Sequence, residues 1–277
     1  MPDLAAYIAG SIELAMAIVG AVLLWRFVLS PNARAERRPS PLPAWEASGG
    51  QFLMFLLMVL LGSTASAIGG QALARQFGLK GDAVTVVVGA SAQFGMLAGV
   101  AFFAVRSRQS FFRLTPPGGP NVLVSGAVVF LISLPVLMAT AKAWEVLLRL
   151  SGLPVERQDL IGIFANVESS WMLALMISLA VLIAPITEEL VFRAGLYRYF
   201  RTRIPRVVAL VAPALFFAAL HVNWDTLRGL SSLVPLVVLA VLFSIAYERT
   251  GNIGTPMVAH ALFNLNTVAL ILSGVTV

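Results

Sequence analysis

Cysteine is absent from the 277 residues, which removes disulfide frameworks, thiolate nucleophiles, cysteine-bound zinc, iron–sulfur clusters and lipidated cysteines together. Histidine is nearly as scarce: His221 and His260 are the only two, so any imidazole chemistry must use them. Charge is thin as well. Asp, Glu, Lys and Arg make up 12% of the chain against about 25% in a soluble domain, and 59% is hydrophobic against about 45–50%. With mean hydropathy at +0.90 and apolar runs of about 20 residues recurring from end to end, a water-soluble globule is excluded. The short alternating segments of an outer-membrane barrel are also missing. The chain reads as an all-α, polytopic membrane helical bundle.

Lys and Arg number 19 against 13 Asp and Glu, a net +6. In a soluble protein that excess would suggest nucleic acid. Here basic residues collect in the loops on one side of a bilayer, and no basic patch interleaved with aromatics is present, so no nucleic-acid partner is expected.

Apolar stretches place about eight spans, at 4–25, 51–74, 83–104, 121–141, 171–197, 207–222, 232–247 and 254–276. The first reads as a span rather than a signal peptide, because no Lys or Arg precedes it and no small-residue cleavage site follows. Loops after odd-numbered spans hold Arg26, Arg34, Arg37, Arg38, Arg106, Arg108, Arg113, Arg198, Arg201, Arg203, Arg206 and Arg249. Even-numbered loops hold Arg75, Lys80, Lys142, Arg149, Arg157 and Arg228. This two-to-one bias puts the odd loops in the cytoplasm and both termini outside. The Pro- and Arg-rich stretch 30–50 reads as irregular, and Thr115 to Pro120 as a break. Trp144 to Leu150 reads as an amphipathic turn resting in the interface. The organisation is a single integral membrane domain, 1–277, with four spans in 1–170 and the polar motifs in 171–277.

Ionisable groups at bilayer depth cost roughly 2.5–3.5 kcal/mol each, so each one needs a partner or a purpose. They concentrate late in the chain. Glu188, Glu189 and Arg193 lie in span five, His221 in span six, and His260 with Asn264 in span eight; Glu13 is the other deep candidate. On a helix Glu189 and Arg193 are i,i+4 neighbours able to neutralise each other, whereas Glu188 sits about 140° from Arg193 and is left for another role. The midpoint between Glu188 and His221 falls at the Arg203-Ile204-Pro205 turn, so an antiparallel hairpin brings the two level. His260 and Asn264, also i,i+4, share one face of span eight. A single polar pocket of Glu188, His221, His260 and Asn264 follows, with Pro185 and Pro256 nearby as sources of helix irregularity. Phe217 reads as packing, and Asn223, Trp224 and Asp225 as the polar mouth after span six.

These residues resemble the CPBP family of intramembrane proteases, the type II CAAX prenyl protease and bacteriocin-processing group. Its EExxxR element matches Glu188-Glu189-Leu190-Val191-Phe192-Arg193, its FxxxH element Phe217 to His221, and its HxxxN element His260 to Asn264. The resemblance covers about 171–277. It implies hydrolysis of a peptide bond within the membrane, with Glu188 and His221 activating water and His260 and Asn264 stabilising the oxyanion, while Glu189 and Arg193 support the structure. The substrate it implies is a peptide or lipidated protein, and the lipid bilayer is the other partner. Plasma membrane of a bacterium is the expected setting, with the site nearer the cytoplasmic side.

The residue chemistry agrees with that implication. Attack by water needs a base, donors where negative charge develops, and an acid for the leaving amine. Neither G-x-S-x-G nor H-E-x-x-H occurs. Catalysis without a cofactor is favoured; zinc on Glu188, His221 and His260 stays open, since two histidines and a carboxylate are legal zinc ligands. Two other classes stay open too: a scaffold or bacteriocin-immunity protein that uses the polar cluster structurally, and an ion-coupled transporter, for which internal repeats are lacking.

Overall fold

The computed structural model describes residues 4–35, 40–108, 121–155, 167, 169–222, 224 and 229–274. Each stretch read as a span holds a helix among its described residues. Helix α1 runs Leu4–Leu24 and continues as a π turn, Trp25–Leu29; α2 is the short Pro31–Ala35; α3 is Gly49–Gln76, α4 Asp82–Ser107 and α5 Val122–Leu150. Then come the composite α6, Ser170–Arg201, followed by α7, Arg206–His221, α8, Leu230–Thr250, and α9, Gly254–Leu272. Among the described residues there is no strand, and seven helices are long and apolar enough to cross a membrane. The protein is an integral, multi-pass helical bundle. Helix α7, with 16 residues, is the short one, about 24 Å against the ~30 Å of a hydrocarbon core.

Two sequence expectations change. Trp144 to Leu150 is not a separate interfacial turn but the last two turns of α5, held there because Leu148 is buried and the Trp144 indole donates to the Leu230 carbonyl at 2.8 Å. The stretch 30–50 is not wholly irregular: it holds α2, and 40–48 is an extended strap packed on the bundle. The break at 115–120, the residues 36–39, and Asn223 and Asp225 lie outside the described residues.

Helices α3 and α4 meet backbone to backbone. Gly62, Ser66 and Gly70 on one face Ser91, Gly95 and Gly99 on the other, both sets spaced by four. A Cβ on Gly62 would collide with the Gly95 carbonyl, one on Gly95 with the Gly62 carbonyl, and one on Gly99 with the Met58 carbonyl. In lipid, where burial of apolar surface drives little, such close approach supplies the packing. Gly95→Leu is therefore expected to part the two helices, lowering the thermal midpoint of the detergent-purified protein by several degrees, whereas Gly89→Leu, where no heavy atom lies within 4 Å, leaves it unchanged.

The arginines at the α6–α7 turn do more than report orientation. Arg198 donates to the Pro43 and Ala44 carbonyls at 3.0 and 3.3 Å, and Arg203 to those of Trp45 and Ala47, so the strap is tied across the turn. Trp45, 2% exposed, meets Phe52, Phe55, Phe103 and Tyr199 edge-on. Glu248 at the end of α8 pairs with Arg201 and Arg206, each at 2.6 Å. The α6–α7 hairpin is thus fixed at its tip, which holds its two deep polar residues in register.

Candidate active site

Helix α6 is irregular where it carries the carboxylates. Regular helix at Ser170–Ser178 gives way to a π segment, Leu179–Ile183, then to six residues of α-helix, Ala184–Glu189, and to a second π segment, Leu190–Tyr197. Proline explains the first departure. The Ala184 N–H goes to the Leu179 carbonyl, and Pro185 has no N–H to offer, so the Ala180 carbonyl is left without a backbone donor. Asn264 of α9 fills the gap: its Nδ2 donates to that carbonyl at 2.7 Å.

The second irregular stretch carries an ion pair. Glu189 and Arg193 lie at 2.9 Å, 0% and 1% exposed, as their i,i+4 spacing anticipates. The guanidinium also donates to the Ala240 carbonyl of α8 at 3.3 Å and lies over the Phe217 and Phe243 rings at 4.8 and 5.4 Å. Glu189 Oε1 also contacts His260 Nδ1 at 2.9 Å. A carboxylate only accepts, so that nitrogen carries the proton and the ring presents its Nε2 elsewhere.

It presents it to Glu188. His260 Nε2 lies 3.9 Å from Glu188 Oε2, and His221 Nε2 lies 3.5 Å from the same oxygen. His221 comes from the end of α7, where its Nδ1 donates to the Phe217 carbonyl at 2.7 Å; a carbonyl accepts, so Nε2 keeps its lone pair toward the carboxylate. Phe217 stacks on the ring at 4.2 Å. The two adjacent carboxylates therefore have different surroundings: Glu189 is sealed and paired, whereas Glu188 is 12% and His221 35% exposed.

The structure thus brings Glu188, His221 and His260 together, sets Glu189 and Arg193 behind them, and places Asn264 one turn along α9 with one amide N–H on Ala180. Its second N–H is left for another acceptor. Glu13 is apart from this cluster, hydrogen-bonded to Asn266 on α9. Sequence reasoning missed Gln93 of α4, whose side chain is hydrogen-bonded to Thr187, the residue before the carboxylates. The signal for it in the sequence is an amide in the middle of the apolar stretch 83–104, outside the three motifs.

The zinc alternative gains no support from the donor set. Among the described residues no group of three or more His, Cys, Asp or Glu side chains could hold a metal ion, and Glu188, His221 and His260 are no exception.

Comparison with known proteins agrees with this reading of the C-terminal half. Residues 170–266 match the family model described as Type II CAAX prenyl endopeptidase Rce1-like. The resemblance drawn from the three motifs is borne out there, since all three lie within the segment that is similar to this family. An uncharacterized protein of Mycoplasma capricolum subsp. capricolum is 29% identical over 102 residues, which is 36% of this chain and 29% of the relative's length. The chain thus spans well under half of that relative. No solved structure matches.

Proposed function

We propose that this chain is an intramembrane endopeptidase that hydrolyses a peptide bond of a membrane-associated or lipidated substrate. The observation that carries the reading is the convergence of two imidazole Nε2 atoms on one oxygen of Glu188, at 3.5 and 3.9 Å, in a membrane span behind which a buried ion pair is fixed. A water molecule held between Glu188 and His221 is within reach of both. Glu188 takes a proton from it as the oxygen attacks the scissile carbonyl carbon, and His221 orients the same water through its free Nε2 lone pair. The oxygen of that carbonyl becomes negative and accepts hydrogen bonds from His260 and Asn264. Because the His260 Nδ1 proton is engaged by Glu189, donation from Nε2 requires the doubly protonated ring, whose charge Glu189 would balance. When the C–N bond breaks, Glu188 returns its proton to the leaving amine.

The setting proposed is a bacterial plasma membrane with the site nearer the cytoplasmic side, on the bias of basic residues toward the α6–α7 turn and with that turn projecting into water. A lipidated CAAX-type partner is the substrate class that the family description suggests. The test compares membrane proteomes of cells expressing the wild-type or the Glu188→Gln chain. New carboxyl termini should accumulate with the wild type and be missing with the variant. Identical sets of termini would remove the hydrolase reading and favour a scaffold.

A further inference from the structure

We infer that Gln93, on α4 and outside the family-matched segment, is a positioning residue for Glu188, acting through Thr187. The inference rests on the hydrolase reading and adds to it a contribution from the first half of the chain. The six residues of regular helix that carry Thr187 and Glu188 lie between two π segments, where the hydrogen-bond register shifts from i→i+4 to i→i+5, so contacts from other helices set their rotation. The pins already described come from α8 and α9: Asn264 on Ala180, His260 on Glu189, and the Ala240 carbonyl on Arg193. Gln93 approaches from α4.

Thr187 is fully buried, and three groups surround its hydroxyl: the Gln93 side-chain amide, the Ala184 carbonyl at 3.0 Å and the Ile183 carbonyl at 3.2 Å. The hydroxyl has one proton. Thr187 Oγ1 donates to Gln93 Oε1; both carbonyls belong to α6 itself, so Gln93 is the acceptor that ties this hydroxyl to another helix. Carrying this amide on an apolar span is unfavourable unless it meets such a partner. Thr187 directly precedes Glu188, so any rotation of α6 that draws the hydroxyl away from Gln93 swings the carboxylate by the same angle about the helix axis. A misplacement of ~1 Å at a reacting group can cost on the order of 10²-fold in rate.

The experiment uses full-length protein in proteoliposomes and, as probe, a quenched fluorescent peptide with a farnesylated cysteine followed by three aliphatic residues. Gln93→Leu and Thr187→Val are each expected to lower kcat roughly tenfold with KM changed less than about twofold. The double variant should fall no further than either single, and Thr187→Ser, which keeps the hydroxyl, should retain at least about half of wild-type kcat. Amide hydrogen exchange across 184–190 is measured on the same proteins without substrate and should be faster in Gln93→Leu, Thr187→Val and the double variant than in the wild type and Thr187→Ser. Wild-type kcat in Gln93→Leu while Glu188→Gln is inactive would overturn the inference and leave the hydrolase reading intact. Losses that multiply in the double variant, or exchange equal across all the proteins, would also overturn it. Equal cleavage of the probe by wild type and Glu188→Gln would instead overturn the hydrolase reading, with the exchange result still deciding whether Gln93 pins α6.

Discussion

Glu188→Gln is expected to lower peptide turnover by about 10²–10⁴-fold, the range that a positioned general base contributes, with the thermal midpoint of the purified protein nearly unchanged. Glutamine preserves the shape and the hydrogen-bonding oxygen but cannot take a proton from water. The neighbouring carboxylate cannot substitute for it, because Glu189 is sealed from solvent and committed to Arg193 and His260 at 2.9 Å each. Glu188 is the less enclosed of the two and faces both imidazoles, so removing its charge leaves no buried ion unpaired. A variant that retained full turnover would show that the carboxylate is merely part of a structural network, as the scaffold alternative holds.

Arg193→Ala should have the opposite profile, removing the protein before its activity can be measured. Truncation would leave Glu189 as a buried carboxylate with His260 as its remaining ionisable partner, and would strip the cation from the Phe217 and Phe243 rings. Breaking one side of a buried ion pair costs about 3–5 kcal/mol, a large share of the roughly 5–15 kcal/mol that holds a typical fold. The expected observation is severe loss of the chain from the membrane fraction. Replacing both partners, Glu189→Leu with Arg193→Leu, should recover much of that abundance, since an apolar pair of similar volume is often neutral in place of a buried ion pair. Activity should not return, because His260 then loses the carboxylate that orients its Nδ1. Recovery of both abundance and activity would mean that this ion pair has no part in setting the imidazole.

Much of this arrangement was legible in the sequence because a bilayer makes polar residues conspicuous. Each predicted span holds a helix among its described residues, and the hairpin arithmetic that set Glu188 level with His221 agrees with their 3.5 Å approach. The i,i+4 spacing likewise gave the Glu189–Arg193 pair. Three features were harder to read. The first π segment of α6 arises at Pro185 and is completed by Asn264 of another helix, which no local pattern displays. Asn264 looks from its spacing like a companion donor to His260, yet one of its protons closes a backbone gap made by a proline on a different helix. Glu248 and the arginines around it read as loop charge until the strap 40–48 is seen lying across them. The α3–α4 contact was the readable feature left unread, since small residues at spacing four stand openly in both spans.

The central claim is that residue 188, and not residue 189, faces the imidazole of α7, and the cysteine-free chain allows it to be measured directly. Glu188→Cys with His221→Cys, and Glu189→Cys with His221→Cys, would be oxidised in native membranes and scored for an internal disulfide by mass spectrometry. The first pair should cross-link in most chains and the second in almost none. No bond in the first pair, or equal bonding in both, would contradict the account.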